Sequence, residues 1–360
     1  MCRSRPAEFL NFEEPICKRL ILLEHELERR SVSIQYVRCH LGRNVTTPHK
    51  WIEWSSNGSE LTVKGGVAET IMGEFFRKWL ENEGLSPENY IPSKDEVRFY
   101  ANPCQRTLAT TQFFSAGMLP VANVRIEYHG DYDSRDPTFK PRFGYVSNSY
   151  IDAATAEIAA QGEDAGLAGI DADLQEGYDL IEQVLDYKSS PAYKSGEAKD
   201  LKTGDAEYTI GVDCAHLLVA EISEELGKDG RRFSFLCGHD SNQSSLLHAL
   251  DVTDYDLPDT IETKTPIGGK ILFEVWENAS GKQFCNVRYV CATTEQVRNL
   301  NLLSLEEAPA SYDLNFKDLE RNADGLFSLE DVQKLLSNTA AAYDQLAKDY
   351  PEEAELGQAA

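Results

Sequence analysis

The sequence lacks several features that define protein classes on their own. It has no run of about 18 apolar residues, the minimum for a membrane-spanning helix. No basic start, apolar stretch and small-residue cleavage site follow one another as in a signal peptide. The eight cysteines form no CxxC pair and show no zinc-binding spacing. We therefore expect a protein with no membrane partner, with free buried thiols, and with a cytoplasmic location.

Positive charge is also scarce along the chain. The 360 residues include 35 Lys and Arg against 60 Asp and Glu, so the formal net charge is -25. A surface of this sign repels polyanions, which argues against a nucleic acid or an anionic membrane as partner. A small phosphorylated substrate is compatible with this charge, provided that a local cluster of arginine and histidine outweighs the overall field.

What the sequence does contain is a regular alternation of strand-like and helix-like segments. Apolar residues recur with helical spacing over residues 67–83, 213–226 and 329–347. Residues 96–101 alternate between apolar and polar, and residues 233–237 form a short apolar run, as strands do. Strands alternating with helices in the first and last thirds predict an α/β fold, with a mixed sheet flanked by helices.

The domain organisation follows from the same pattern. Residues 46–135 and 213–350 are predicted to form the α/β core. Within the core, residues 269–277 and 285–291 predict a hairpin. Residues 148–187 are acidic and helical in pattern, and residues 188–212 are loop-like. Residues 136–212 are predicted to form a truncated helical cap inserted into that core.

The first 45 residues differ from the rest. They hold 7 of the 18 arginines and 3 of the 8 cysteines, contain a single glycine and show no clean amphipathic period. A segment without such a period has little apolar surface to bury. Residues 1–45 are therefore predicted to form an atypical, poorly packed segment. A shift of reading frame upstream of Thr46 would explain their composition and the abrupt change that follows.

The most informative motif is Gly238-His239-Asp240-Ser241-Asn242, which ends an apolar strand and precedes a helix. In α/β sheets, sites form at the carboxyl ends of strands, and helix N-termini favour anions. A histidine there can bind phosphate, and an aspartic acid can protonate a leaving group. The alternative is a purely structural turn, in which Asp240 or Ser241 caps the helix.

Two further motifs stand at turns. Arg106 lies in Asn102-Pro-Cys-Gln-Arg-Thr107, at a strand-to-helix junction, and its guanidinium fork matches phosphate oxygens. The alternative is an ordinary surface arginine on a helix. Thr265-Pro-Ile-Gly-Gly-Lys270 has two glycines that either admit a ligand to the backbone or only permit a tight bend.

Taken together, these motifs resemble the histidine acid phosphatase family, and they are more similar to its glucose-1-phosphatases than to its phytases. Thr47-Pro-His-Lys-Trp51, Asp136-Pro-Thr-Phe139 and Ser190-Pro-Ala-Tyr-Lys194 extend the match. The resemblance implies hydrolysis of a sugar phosphomonoester through a phosphohistidine. It implies that Arg106 and His239 bind phosphate, that Asp240 is the general acid, and that no metal or organic cofactor takes part.

The sequence departs from the family in two places. The motif Arg-His-x-x-Arg-x-Pro, which carries the nucleophile, is absent. Arg38-Cys-His-Leu-Gly-Arg43 keeps half of its spacing, so the resemblance makes His40 the candidate nucleophile and Arg43 a candidate phosphate ligand. Between Tyr208 and Val212 the family has more of the cap, so the cap is expected to be shortened. We expect weak or absent turnover.

Three alternatives stay open at this point. The chain could be a non-catalytic phosphate-binding relic of the family, or a phytase or broad acid phosphatase. A third alternative is a calcium-binding module, since Glu320 to Asp331 fits an EF-hand-like loop at most positions. A plain Asp-Gly turn is the simpler interpretation of that loop.

Overall fold

The computed structural model describes residues 16–25, 47–50, 60–140, 153, 156, 160, 175–196, 211–253, 255–260 and 264–350. For residues 16–25 and 211–214 it is the backbone that is described. The strands are β1 (Ile16–His25), β2 (Val97–Ala101), β3 (Ile126–Glu127), β4 (Phe233–Gly238), β5 (Lys270–Glu277), β6 (Gln283–Cys291), β7 (Ala310–Asp313) and β8 (Phe327–Ser328). The α-helices are α1 (Val63–Asn82), α2 (Gln105–Met118), α3 (Gln175–Leu185), α4 (Pro191–Ser195), α5 (Gly211–Gly227), α6 (Asp240–Ala249), α7 (Thr294–Asn299) and α8 (Leu329–Asp349).

The strands of the described residues form a mixed sheet. Their order is β3-β2-β4-β1-β5-β6-β7, with β8 beside β6. The pairs β3–β2, β2–β4 and β4–β1 are parallel, whereas β1–β5, β5–β6 and β6–β7 are antiparallel. The predicted α/β class with a mixed sheet flanked by helices is confirmed.

Helices cover both faces of the sheet. Alternate residues of β4 point to opposite sides, so Phe233 and Phe235 join a buried cluster with α1 and α2. Leu236 instead joins a second buried cluster, which contains residues of α5, α6 and α8. This three-layer arrangement leaves the two ends of the strands as the places where a site can form.

Several predicted elements agree closely with the structure. The helix predicted at 213–226 is Gly211–Gly227, and the one predicted at 329–347 is Leu329–Asp349. The hairpin is formed by β5 and β6. Among the described residues, no helix combines the length and the apolar character needed to span a membrane.

The prediction that residues 1–45 form an atypical, poorly packed segment is wrong for Ile16–His25. These residues form β1, which lies between β4 and β5 in the middle of the sheet. A strand with neighbours on both edges and helices on both faces needs a short apolar run rather than an amphipathic period. Leu20-Ile21-Leu22-Leu23 is such a run. The other residues of 1–45 lie outside the described ones.

The chain divides into two compact units. The larger unit contains the sheet with α1, α2 and α5 to α8. Among its described residues the smaller unit contains α3 and α4, and there Thr47 Oγ1 donates a hydrogen bond to the Leu185 carbonyl at 2.6 Å. The detailed boundaries predicted for the core and the cap stay predictions.

Candidate functional site

Two strand-to-helix junctions of the larger unit meet at one edge of the sheet. β2 and β4 are parallel neighbours, with Ala101 opposite Cys237. α2 begins four residues after β2 ends, and α6 begins two residues after β4 ends. Both helix N-termini therefore lie at the carboxyl edge of the parallel strands, where the ends of helix dipoles favour an anion.

The end of β1 reaches the same edge. Its last residue, His25, lies opposite Gly238 in the parallel register with β4. On the other side, Glu24 lies opposite Lys270, the first residue of β5. The backbone thus brings a histidine to the edge at which the His239-Asp240 turn begins. The candidate nucleophile His40 and the candidate phosphate ligand Arg43 both lie outside the described residues.

Arg106 and His239 are far apart in the sequence but lie side by side. The Arg106 guanidinium nitrogen Nη2 is 3.2 Å from Nδ1 of His239. A guanidinium has only donors, so Nδ1 must accept the hydrogen bond. The ring proton of a neutral His239 then sits on Nε2. His239 is 5% exposed, so its ring is nearly enclosed.

Asn102 faces the other nitrogen of the His239 ring. Its side-chain amide lies 2.9 Å from Nε2 and is fully buried. The atom at this position is Asn102 Nδ2. Since Nε2 of a neutral His239 carries the proton, a hydrogen bond across this contact requires the amide to turn over and present its oxygen. In the opposite orientation that oxygen has no hydrogen-bond partner, which costs about 1–3 kcal/mol for a buried polar atom. Asn102 and Arg106 thus fix the orientation of the His239 ring from both sides.

Asp240 is the first residue of α6 and is partly exposed. The residue in the N-cap position is His239, with extended backbone angles, so the alternative that Asp240 or Ser241 caps the helix is wrong. Asp240 Oδ1 accepts a hydrogen bond from the Ser241 N–H at 2.8 Å. A carboxyl group that is within reach of solvent and directly follows His239 in the chain can exchange protons with a substrate.

The turn at Pro266 to Lys270 packs against α6 and β6. The Gly269 carbonyl accepts a hydrogen bond from Gln243 Nε2 at 2.8 Å. A Cβ atom on Gly269 would lie 2.3 Å from the Tyr289 hydroxyl. The glycine is therefore required for close packing against Tyr289, and of the two interpretations of this motif the structural one is supported.

A buried ion pair ties this turn to the helical layer. Lys270 Nζ lies 3.2 Å from Glu69 Oε2, and the two side chains are 0% and 3% exposed. Lys270 also donates to the Gly268 carbonyl at 3.0 Å. Glu69 is on α1, so the pair connects the first residue of β5 with that helix. The sequence does not predict this contact, because the two residues are distant in the chain and because lysine and glutamate are normally exposed.

The calcium-binding alternative is not supported by the loop at Glu320 to Asp331. Asn322 Oδ1 accepts hydrogen bonds from the backbone N–H groups of Asp324 and Leu326, both at 2.9 Å. Gly325 has a left-handed φ of 75°, which a tight turn requires. Within the described part of the chain, no group of three or more His, Cys, Asp or Glu side chains could hold a metal ion.

An arginine, an imidazole and a carboxyl group at the positive ends of two helices are suited to a small phosphorylated ligand. No family model matches the chain. It is 30% identical over 366 aligned residues to a glucose-1-phosphatase of Salmonella typhimurium, with 82% of this chain and 86% of the relative covered. A glucose-1-phosphatase of Providencia rettgeri is 28% identical, with 81% and 85% covered. The fold is similar to that of a phytase from Citrobacter braakii, with a TM-score of 0.75, 21% identity, and 91% and 98% covered.

These similarities extend over most of the chain and most of each relative. The chain belongs to the histidine acid phosphatase family, and its sequence is similar to that of the family's glucose-1-phosphatases.

Proposed function

We propose that this chain hydrolyses a sugar phosphomonoester through a phosphohistidine intermediate. The observation that carries the proposal is the contact of Arg106 with His239 at 3.2 Å, beside Asp240 and at the N-termini of α2 and α6. Arginine supplies a fork of donors to phosphate oxygens. The similarity to glucose-1-phosphatases supports a sugar phosphate as the substrate class.

His25 is proposed as the nucleophile in place of His40. Its support is the backbone: His25 ends the central strand β1 and lies opposite Gly238, the residue before His239. Nucleophilic attack requires the attacking nitrogen and the phosphorus to be held in line. Strand pairing fixes the backbone of β1 up to the histidine at its end, and this supports the assignment.

The proposed reaction has two steps. In the first, a ring nitrogen of His25 bonds to phosphorus, the bond from phosphorus to the sugar oxygen breaks, and Asp240 gives its proton to that oxygen. In the second, water attacks phosphorus, the phosphorus–nitrogen bond breaks, and the Asp240 carboxylate takes the proton of the water. Arg106 binds the phosphate oxygens in both steps.

A non-catalytic phosphate-binding role is the second candidate, and one observation favours it. The residues around His25 read Glu24-His25-Glu26-Leu27-Glu28, where the family motif has arginines before and three residues after the histidine. Carboxylates repel a phosphate dianion, whereas arginines bind it. Turnover is therefore expected to be weak.

The test is covalent trapping of the intermediate. The protein is mixed with radiolabelled p-nitrophenyl phosphate at about pH 5, where a carboxylic acid is more often protonated, and is quenched in alkaline detergent. We expect label on the protein and its loss in His25→Ala. The control is His40→Ala, which is expected to keep the label. Label that disappears in His40→Ala and persists in His25→Ala would reverse the assignment. Phosphate binding without any label would favour the non-catalytic role.

A further inference from the structure

A buried chain of contacts leads from the segment Asp136 to Phe139 to the backbone of His239. The Phe139 carbonyl accepts a hydrogen bond from Asn242 Nδ2 at 2.7 Å. The Oδ1 atom of the same Asn242 accepts the backbone N–H of His239 at 2.8 Å. Asn242 is 4% exposed, so one enclosed amide uses both of its ends to join the two segments.

The residue before the His239-Asp240 turn is fitted to this link. A Cβ atom on Gly238 would lie 2.6 Å from Asn242 Oδ1 and 2.8 Å from the Phe139 ring. These distances leave no space for a side chain, so a glycine is required there for Phe139 and Asn242 to approach β4. Asn242, Phe139 and the end of β4 are therefore packed tightly against one another.

The segment that carries Phe139 is itself anchored. Asp136 is 1% exposed, and its Oδ2 accepts a hydrogen bond from the Tyr100 hydroxyl at 2.8 Å. Its Oδ1 accepts the Thr138 N–H at 3.0 Å, and its carbonyl accepts the Lys140 N–H at 2.7 Å. The Tyr100 and Phe139 rings lie 5.0 Å apart. Burial and the hydrogen bond to Asp136 raise the pKa of Tyr100, so its hydroxyl stays a donor.

We infer that Asn242 and the Asp136–Phe139 segment are positioning elements for the general acid Asp240, an inference that rests on the proposed function. His239 precedes Asp240 directly, and its N–H fixes how the first turn of α6 leaves β4. A change in that angle displaces the carboxyl group of Asp240, and a misplacement of about 1 Å can cost on the order of 100-fold in rate.

Substrates with different leaving groups distinguish a misplaced general acid from a loss of overall stability. An alkoxide is a strong base, so its departure from phosphorus needs a proton from the acid, whereas p-nitrophenolate is a weak base and leaves without one. Loss of a positioned acid therefore reduces hydrolysis of an alkyl phosphate more than hydrolysis of p-nitrophenyl phosphate. Partial unfolding reduces both rates by the same factor.

The experiment measures kcat/KM for β-glycerophosphate and for p-nitrophenyl phosphate and takes their ratio. Asp240→Asn is expected to lower the ratio most, and Asn242→Ala is expected to lower it by about 10-fold. Tyr100→Phe keeps the ring and removes the hydroxyl that contacts Asp136, Thr138 and His129. Because the backbone hydrogen bonds of Asp136 and the contacts of Asn242 remain, a smaller fall is expected even if Asn242→Ala does not fold. Asn286→Ala is the matched control, because Asn286 is also 4% exposed but lies on β6; its ratio should stay at the wild-type value.

The possible outcomes distinguish a failure of the positioning role from a failure of the proposed function. A lower ratio in Asp240→Asn together with an unchanged ratio in folded Asn242→Ala and Tyr100→Phe overturns the positioning role alone. An unchanged ratio in Asp240→Asn, or no turnover with either substrate, overturns the proposed function and this inference with it. A fall in Asn286→Ala as large as that in Asn242→Ala also overturns the inference, because it would assign the effect to stability.

Discussion

The two sides of the candidate site are unequally equipped to bind a phosphate group. On the side formed by β2 and β4, Arg106 and His239 are in contact and Asn102 holds the histidine ring. On the side formed by β1, His25 ends the strand with glutamates on both sides of it in the sequence. The comparison shows that the fold tolerates a change of charge at the end of β1, because strand pairing uses the backbone, whereas phosphate binding depends on the side chains.

The largest effect is expected from repairing the β1 side. The combined substitution Glu28→Arg, Arg29→Ala and Arg30→Pro gives the sequence His-x-x-Arg-x-Pro from His25 onward. It removes a repulsive carboxylate and adds a fork of donors, and charge-assisted hydrogen bonds contribute about 1.5–3 kcal/mol each. We expect kcat/KM for p-nitrophenyl phosphate to rise by about 100-fold. The control is the same triple substitution with His25→Ala, which should show no gain.

The same three residues also make the hypothesis of a shifted reading frame testable. If Glu28, Arg29 and Arg30 are encoded by GAG, CGC and CGN, one added C or A before them reads as Arg-Ala-Pro. The shift would then begin after Leu27 and end before Thr46, and β1 would precede it. Sequencing the gene tests this directly, and codons that give no Arg-Ala-Pro in the neighbouring frame would contradict it.

A smaller effect is expected from weakening the β4 side. Arg106→Lys keeps the charge but removes the fork that matches phosphate oxygens. We expect phosphate affinity, measured by calorimetry, to fall on the order of 10-fold, which corresponds to about 1.4 kcal/mol. Arg125→Lys is the matched control on an exposed arginine and should leave the affinity unchanged. Equal losses in both variants would mean that overall charge rather than the fork binds phosphate.

The smallest effect on the site is expected from crowding the residues that pack behind the β4 side. Gly238→Ala places a methyl group against Asn242 and Phe139, and such overpacking costs about 1–3 kcal/mol. The free energy of unfolding, measured with urea, should fall by that amount. Gly227→Ala is the control, because a Cβ there meets no atom within 4 Å; it should be neutral or slightly stabilising. A stable Gly238→Ala variant would mean that the link through Asn242 is loosely packed.

The sequence predicted most strongly what depends on local pattern. The helix Leu329–Asp349 and the hairpin of β5 and β6 follow from apolar spacing, and the His239-Asp240 turn follows from a strand that stops at a glycine. The contact between Arg106 and His239 was expected from the family resemblance, since no local rule joins residues so far apart in the chain.

The end of β1 was missed for a physical reason. Its apolar run is only Leu20 to Leu23, and such a short run does not distinguish a central strand from a buried helical segment. The pairing of β1 with β4 and β5 is what identifies it. Asn242 and Asp136 were missed as supports because their role depends on contacts with the Phe139 carbonyl and Tyr100, which no spacing rule contains.

The position of β1 also determines the order in which the protein can assemble. During synthesis β1 leaves the ribosome first, yet its two neighbours, β4 and β5, are made only after most of the chain has emerged. Until then both edges of an apolar strand lack partners and can pair with another nascent chain. Contacts between segments so distant in the chain also form slowly, because a long loop must close first. The middle of the sheet is therefore completed only after β5 has been made, and the edge that carries His25 and His239 cannot form before β4 has left the ribosome.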